Sequence, residues 1–256
     1  MPRYFIQLSY NGANYNGWQV QKNTPNTVQQ VLQEKMSMIF NESIDVIGCG
    51  RTDTGVHAKD YYAHFNSETI DVHEKTSNYI YKLNKVLPVD ISIKKIYAVN
   101  DQANARFDAE SRTYEYLIHT YKNPFLNQTS LFVYGKLNFT AMNEAASYLL
   151  NVTDFTSFSK VHTQTKTNNC LVTLARWDQI NDTEFIFTIT ANRFLRNMVR
   201  AVVGTLLEVG KEKISVDDFK QIVADKNRSQ AGMSVSGHAL YLTHIQYPNY
   251  IFNDKN

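Results

Sequence analysis

The alternation of apolar and polar positions over residues 4–10 predicts a strand with one buried face, and Asn11-Gly12 ends it in a turn. Thr27 and Gln30 stand at capping-box spacing, and Val28, Val31, Leu32, Met36 and Ile39 follow at helical intervals. A helix therefore begins near Thr27. Short strands are expected over 44–47 and 61–65, flanking a polar, glycine-containing stretch at 48–57. A helix over about 76–86 is stopped by Pro88, and 91–99 returns to strand. The order is β-α-β-β-α-β. It repeats with a strand at 112–120, a helix at 140–150, a hairpin at 171–177 and 184–190, a long apolar helix at 194–209, a short helix at 216–224 and a strand at 240–247. No residue-level repeat relates the two runs. Element order alone predicts an α+β chain of two ferredoxin-like halves side by side, 1–105 and 106–256. A cleft between such halves would be a natural ligand site.

Composition changes this picture little. Hydrophobic residues make up 43% of the 256, enough for a well-buried core, and disorder is expected only at 252–256. The net charge is +2, from 26 basic and 24 acidic residues, so a polyanionic partner requires basic side chains gathered on one face. The 16 Tyr, 14 Phe and 2 Trp supply rings that stack on unpaired bases, although most such rings fill a core. Two cysteines, Cys49 and Cys170, make no disulfide framework and show no metal-ligand spacing. No signal-peptide core follows Met1-Pro2-Arg3-Tyr4, and no apolar run approaches membrane-spanning length. The chain reads as soluble and cytoplasmic.

The densest polar segment is Gly50-Arg51-Thr52-Asp53-Thr54-Gly55-Val56-His57-Ala58. Arg51 and Asp53, two apart, share a face if the backbone is extended, and a guanidinium beside a carboxylate keeps it ionised. An ionised carboxylate serves as nucleophile or base. On residue physics alone the plainer reading leads: a surface turn in which Asp53 caps backbone N–H groups.

The wording of the segment shifts that balance. Gly50 to Ala58 resembles the GRTDAGVHA signature of the tRNA pseudouridine synthase A family, with Thr54 where the family usually has Ala. Tyr10-Asn11-Gly12 through Tyr15, Gly17-Trp18-Gln19 with Gln21, and Thr27-Val28-Gln29 resemble its N-terminal pattern. Leu83-Asn84, Leu87-Pro88 and Asp90-Ile91 resemble its LNxxLPxDI segment. Ala105-Arg106-Phe107 with Ala109, Arg112, Tyr114 and Tyr116 resembles ARFxAxxRxYxY. Asp154-Phe155-Thr156-Ser157-Phe158 is similar to its DFTSF motif. Asn192-Arg193-Phe194, Met198-Val199-Arg200, Gly204 and Glu208-Val209-Gly210 are similar to its helix signature. Leu240-Tyr241-Leu242 and Tyr247-Pro248 are similar to its last strand. These motifs run in the family's order from Tyr10 to Pro248. Two further departures occur. Lys166-Thr167-Asn168-Asn169 lacks an Arg often found there, and Ser236-Gly237-His238-Ala239 replaces a more usual glycine.

The resemblance implies an isomerase that turns uridines 38, 39 and 40 of the tRNA anticodon stem-loop into pseudouridine, without cofactor or metal. It implies that Asp53 is the catalytic carboxylate and Arg200 its charge partner. Tyr114 would stack on the target uracil and Leu240 would wall the pocket. Arg51 and Arg106, with Arg112, Arg193 and Arg196, are candidates for phosphate contacts. A homodimer acting on one tRNA is expected, with no membrane and no other protein partner. His57 and His64, read with Cys49, match no common metal site. Two other functions remain open to the residues. One is a non-catalytic RNA-binding module, although no K/R-G-F-x-F pattern is present. The other is a hydrolase pairing Asp53 with Asp60 or Glu110 across a sugar.

Overall fold

The computed structural model describes residues 1–22, 24, 26–70, 76–160 and 166–252. The protein is a mixed α+β chain of mostly antiparallel strands and helices, the fold class expected. It divides into two compact units: Met1–Glu110 with Leu242–Asn256, and Ser111–Tyr241.

In the first unit the elements follow as β1 (Arg3–Tyr10), α1 (Val28–Phe40), β2 (Ile47–Gly48), β3 (His57–Asn66), α2 (Thr76–Val86) and β4 (Ile91–Val99). The strands lie in the order β4-β1-β3, antiparallel at each step, and β2 pairs antiparallel with β3. Each helix thus carries the chain over an intervening strand, as a β-α-β-β-α-β unit requires. The side chain of Thr27 caps α1 by accepting from the Gln30 amide, and Val28, Leu32, Met36 and Phe40 bury one stripe at i, i+4 intervals. Phe40 stacks on Phe65 at 5.9 Å and meets Tyr79 of α2 at 5.5 Å; Phe65 also stacks on Tyr4. Burial of each such ring stabilises the unit by roughly 1.5–3 kcal/mol.

Three sequence expectations are corrected here. No strand covers 44–47; only Ile47 and Gly48 pair with β3. Helix α1 supplies the reason. Ser37 Oγ accepts from the Ile44 amide, Gln33 Oε1 accepts from Val46, and Gln29 Nε2 donates to the Val46 carbonyl, so side chains satisfy the backbone that a ladder would have used. Strand β3 begins at His57 rather than 61. Phe252, expected in a disordered tail, bridges Val99 and packs its ring on Phe5, Tyr97 and Tyr247; residues 253–256 of that expectation lie outside the described residues.

The second unit contains β5 (Ser111–His119), β6 (Leu131–Phe132), α3 (Phe139–Tyr148), β7 (Val172–Gln179), β8 (Glu184–Ala191), α4 (Met198–Gly210) and α5 (Val216–Ala224). Strand β9 (Leu240–Gln246) spans the division between the units. The order β5-β8-β7 is antiparallel, and the two-residue β6, too short for a periodicity to show, pairs parallel with the end of β5. Apart from Arg200 and Glu208, every residue of α4 is buried. The helix starts at Met198, not at 194 as its apolar run predicts. Asn197 takes a left-handed conformation with φ 67°, and the residues before it serve tertiary contacts. Phe194 packs edge-on against Tyr114, and the Arg196 carbonyl accepts from the Lys160 amide.

Candidate active site

The loop from Cys49 to Val56 leads into β3 and exposes Arg51 and Thr54, while Thr52 and Val56 are buried and Asp53 is half-buried. Residues 10–18 bracket it. Before Asp53, the Thr52 carbonyl accepts from the Trp18 amide at 3.2 Å and the Thr52 hydroxyl lies 2.8 Å from the Tyr10 hydroxyl. Around Asp53, its own carbonyl accepts from Val56 at 3.1 Å, and Gly55 donates to the Tyr15 carbonyl at 3.3 Å. After it, Gly12 donates to Nδ1 of His57 at 3.1 Å. Gly17 has φ +86°, and a Cβ there would stand 2.5 Å from the Thr52 carbonyl oxygen, so the approach requires glycine. Tyr10, Trp18 and Tyr61 form a buried aromatic backing, with Trp18 and Tyr61 ring centroids 4.1 Å apart, and the Tyr61 hydroxyl donates to the Gly50 carbonyl.

Two histidines of this unit, His57 and His64, serve the scaffold. His57 and His64 are both buried, and Nδ1 of His64 accepts from the Ala105 amide at 3.1 Å. Burial, with the nearby Arg3 charge, lowers the His64 pKa to about 4. Among the described residues no group of three His, Cys, Asp or Glu side chains is placed to hold a metal ion. Arg106 is exposed, with its guanidinium 5.4 Å from the centroid of the exposed Phe107 ring. Its segment is anchored at His64, while the Asp53 loop enters at His57. Those anchor points are seven residues apart on β3, about 23 Å along the strand. Asp60 already accepts from Gln7 Nε2 at 2.6 Å and lies 3.9 Å from Lys94, while Glu110 is exposed.

In the second unit the segment 231–240 gathers the other candidates. It lies against α4 at Gly204, where a Cβ would come within 1.9 Å of the Met233 carbonyl oxygen. Arg200, half-buried in the first turn of α4, donates from Nε to the Val235 carbonyl at 2.6 Å; its own carbonyl accepts from the Val235 amide. One residue on, the Ser236 carbonyl accepts from the Tyr116 hydroxyl at 2.9 Å. Burial raises the pKa of Tyr116 well above the usual phenol value, and the Arg200 charge opposes the rise. Tyr114, two residues earlier on β5, is half-buried and meets Phe194 edge-on at 5.1 Å. Leu240 is buried at the start of β9. His238, the departure noted in the sequence, bonds Ser236 Oγ through Nδ1 and the Ser130 carbonyl through Nε2.

Within the units, then, Asp53 and Arg51 share one loop, Arg106 is anchored at the other end of β3, Arg200 and Leu240 are joined by segment 231–240, and Tyr114 lies two residues from Tyr116, which bonds that segment. Arg112 donates to the Asn192 carbonyl, Arg193 lies beside Cys170, and Arg196 is exposed. Sequence reasoning did not pick out Val235, Ser236 or Tyr116 as neighbours of Arg200. Only the spacing of Tyr114 and Tyr116 hinted at it. The DFTSF motif proves structural in its contacts. Burial works against ionisation of Asp154, but the Thr156 hydroxyl and amide and the Lys226 ammonium hold its carboxyl below the usual range. Asn168, in the segment lacking the expected Arg, donates to the Thr156 hydroxyl.

A family model for tRNA pseudouridine synthase matches residues 145–248. The chain is 48% identical to a tRNA pseudouridine synthase A of Bacteroides thetaiotaomicron, over all of this chain and 94% of the relative. It is 49% identical to that of Porphyromonas gingivalis, over 98% of this chain and all of the relative. To that of Clostridium acetobutylicum it is 41% identical, over 94% and 98%. Identity at this level, sustained along the whole chain, makes it a member of the tRNA pseudouridine synthase A family, and so an isomerase.

Proposed function

We propose that the protein converts uridines 38, 39 and 40 of the tRNA anticodon stem-loop to pseudouridine, with Asp53 as the catalytic carboxylate. The bond from ribose C1′ to uracil N1 breaks and C1′ rejoins at C5. The C5 proton leaves and N1 gains one, so no oxidant or external donor is needed. The observation that carries the reading is the mounting of Asp53: a half-buried carboxylate on a short loop held by hydrogen bonds before, at and after it. A side chain that acts on one sugar carbon gains rate from such fixed placement.

The other roles follow this reading. Arg200 is the charge partner of Asp53. It stands in the first turn of a 13-residue helix, whose positive end adds to its preference for an anion, and the Val235 carbonyl fixes its guanidinium plane. Tyr114 offers its ring to the uracil and Leu240 an apolar wall. The exposed Arg51 and Arg106 suit phosphate contacts. A uridine stacked in a stem must be turned out to reach a carboxylate. The protein works in the cytoplasm as a homodimer, each copy built of two halves, 1–105 and 106–256.

Asp53→Asn keeps the shape and most hydrogen bonds but not the charge. A turn cap would tolerate it, since Asn and Asp cap about equally well. The reading expects tritium release from tRNA labelled at uracil C5 to cease, with tRNA affinity and thermal unfolding close to wild type. An active Asp53→Asn protein refutes it.

A further inference from the structure

Tyr15 and Asp90 lie outside the roles assigned above, yet both belong to the bracket that holds the Asp53 loop. The Tyr15 hydroxyl, on a residue only 4% exposed, donates to Asp90 Oδ1 at 2.5 Å. The same Asp90 accepts from Asn14 Nδ2 at its other oxygen, and its carbonyl accepts from the Asn11 amide at 2.9 Å. Asp90 immediately precedes β4, so it anchors residues 11–15 to the edge of the sheet. From that anchored segment Tyr15 accepts the Gly55 amide, and Gly12 donates to His57. Asp53 stands two residues before Gly55, the first of the residues so held, and its own carbonyl accepts from Val56 between them. Burial, with the Asp90 charge, raises the pKa of the Tyr15 phenol and keeps it a donor.

We infer that Asp90 and Tyr15 are positioning residues for the Asp53 loop: the carboxylate fixes the tyrosine, and the tyrosine backbone sets the turn that presents Asp53. The inference rests on the proposed role of Asp53. The Gly55 amide reaches the Tyr15 carbonyl at 3.3 Å, a long backbone bond, and the hydroxyl–carboxylate pair acts through it by fixing where the Tyr15 carbonyl stands. A displacement of the loop by a fraction of an ångström affects the chemical step more than binding. Affinity for a polyanion rests on many phosphate contacts, whereas reaction needs one geometry.

The test uses the full-length protein with three variants. Tyr15→Phe removes only the hydroxyl, Asp90→Ala removes the acceptor, and Asp90→Asn keeps an oxygen for the tyrosine to donate to. Single-turnover pseudouridine formation, tRNA binding and thermal unfolding are measured for each, beside Asp53→Asn. Tyr15→Phe and Asp90→Ala are expected to slow the single-turnover rate roughly 10- to 100-fold with the dissociation constant for tRNA nearly unchanged. Asp90→Asn recovers most of that loss. If Tyr15→Phe, folded at the assay temperature, reacts at the wild-type rate while Asp53→Asn is inactive, the positioning role is overturned and the role of Asp53 stands. If Asp53→Asn is itself active, the proposed function has failed first. An Asp90→Asn protein as slow as Asp90→Ala also overturns the inference, because the retained acceptor should then have served.

Discussion

A guanidinium among apolar side chains costs free energy unless its charge and its donors are met. Arg200 has one donor committed to the Val235 carbonyl at 2.6 Å and sits at the helix end least favourable to a cation. The positive end of the helix favours an anion beside Arg200, the part the proposed function gives to Asp53. Lysine cannot reproduce this setting, since a point charge on a flexible stem has no Nε to hold the plane. Arg200→Ala and Arg200→Lys are both predicted to lower the single-turnover rate about 100-fold or more, the scale of losing one oriented electrostatic group in a site. A folded Arg200→Lys protein with near-normal turnover would remove the argument from geometry and leave only charge.

At the scale of elements, the active-site candidates hang on close approaches of backbone to helix. Gly204 is the sharpest case. In a helix interior alanine is favoured over glycine by about 1 kcal/mol, which on propensity alone makes Gly204→Ala stabilising. Its Cβ would, however, stand 1.9 Å from the Met233 carbonyl oxygen, a backbone atom that moves only with its strand of chain. Overpacking of this kind costs about 1–3 kcal/mol or more and outweighs the propensity gain. Gly204→Ala is therefore predicted to lower the urea midpoint. It should also slow turnover, because segment 231–235 that retreats from α4 takes the Val235 partner of Arg200 with it. An unchanged midpoint would show that the segment yields freely. Elsewhere, α1 shows how an element can suppress another: Gln29, Gln33 and Ser37 bond the backbone at 44–46 and leave only a two-residue strand.

For the molecule as a whole, buried neutral imidazoles couple folding to pH. His64 has its pKa lowered to about 4 by burial and by Arg3, against an ordinary value near 6.5. The unfolded chain then binds more protons than the folded one between about pH 4 and pH 6.5. Stability contributed by keeping His64 neutral is complete above that window and is lost as pH falls through it, by at most about 3 kcal/mol. Urea midpoints measured from pH 7 to pH 4 should fall. In His64→Asn, whose side-chain oxygen can accept from the Ala105 amide in place of Nδ1, the fall should be shallower. Parallel curves for the two proteins would place the pH dependence in other groups.

Local patterning told most about elements whose period and caps agree. The Thr27 cap and the stripe behind it, the helix at 76–86, the strand at 91–99 and the helix at 216–224 stand where the sequence places them. The ordered motifs also carried the family, because seven short strings in one order are a property of the chain itself. Where the sequence misled, a distant partner was responsible. Residues 194–197, at the head of the stretch that reads as helix, are turned aside by the left-handed Asn197 and by contacts to Tyr114 and Lys160. Phe252 reads as tail but finds a ring cage on Phe5, Tyr97 and Tyr247. The residues around Asp53 were legible as a polar loop. That this loop is bracketed by Gly12, Tyr15 and Trp18, and through Tyr15 by Asp90, was decided by tertiary structure. Such bonds join positions about 35 to 75 residues apart, and no local propensity or period encodes which backbone carbonyl will meet which amide across a fold.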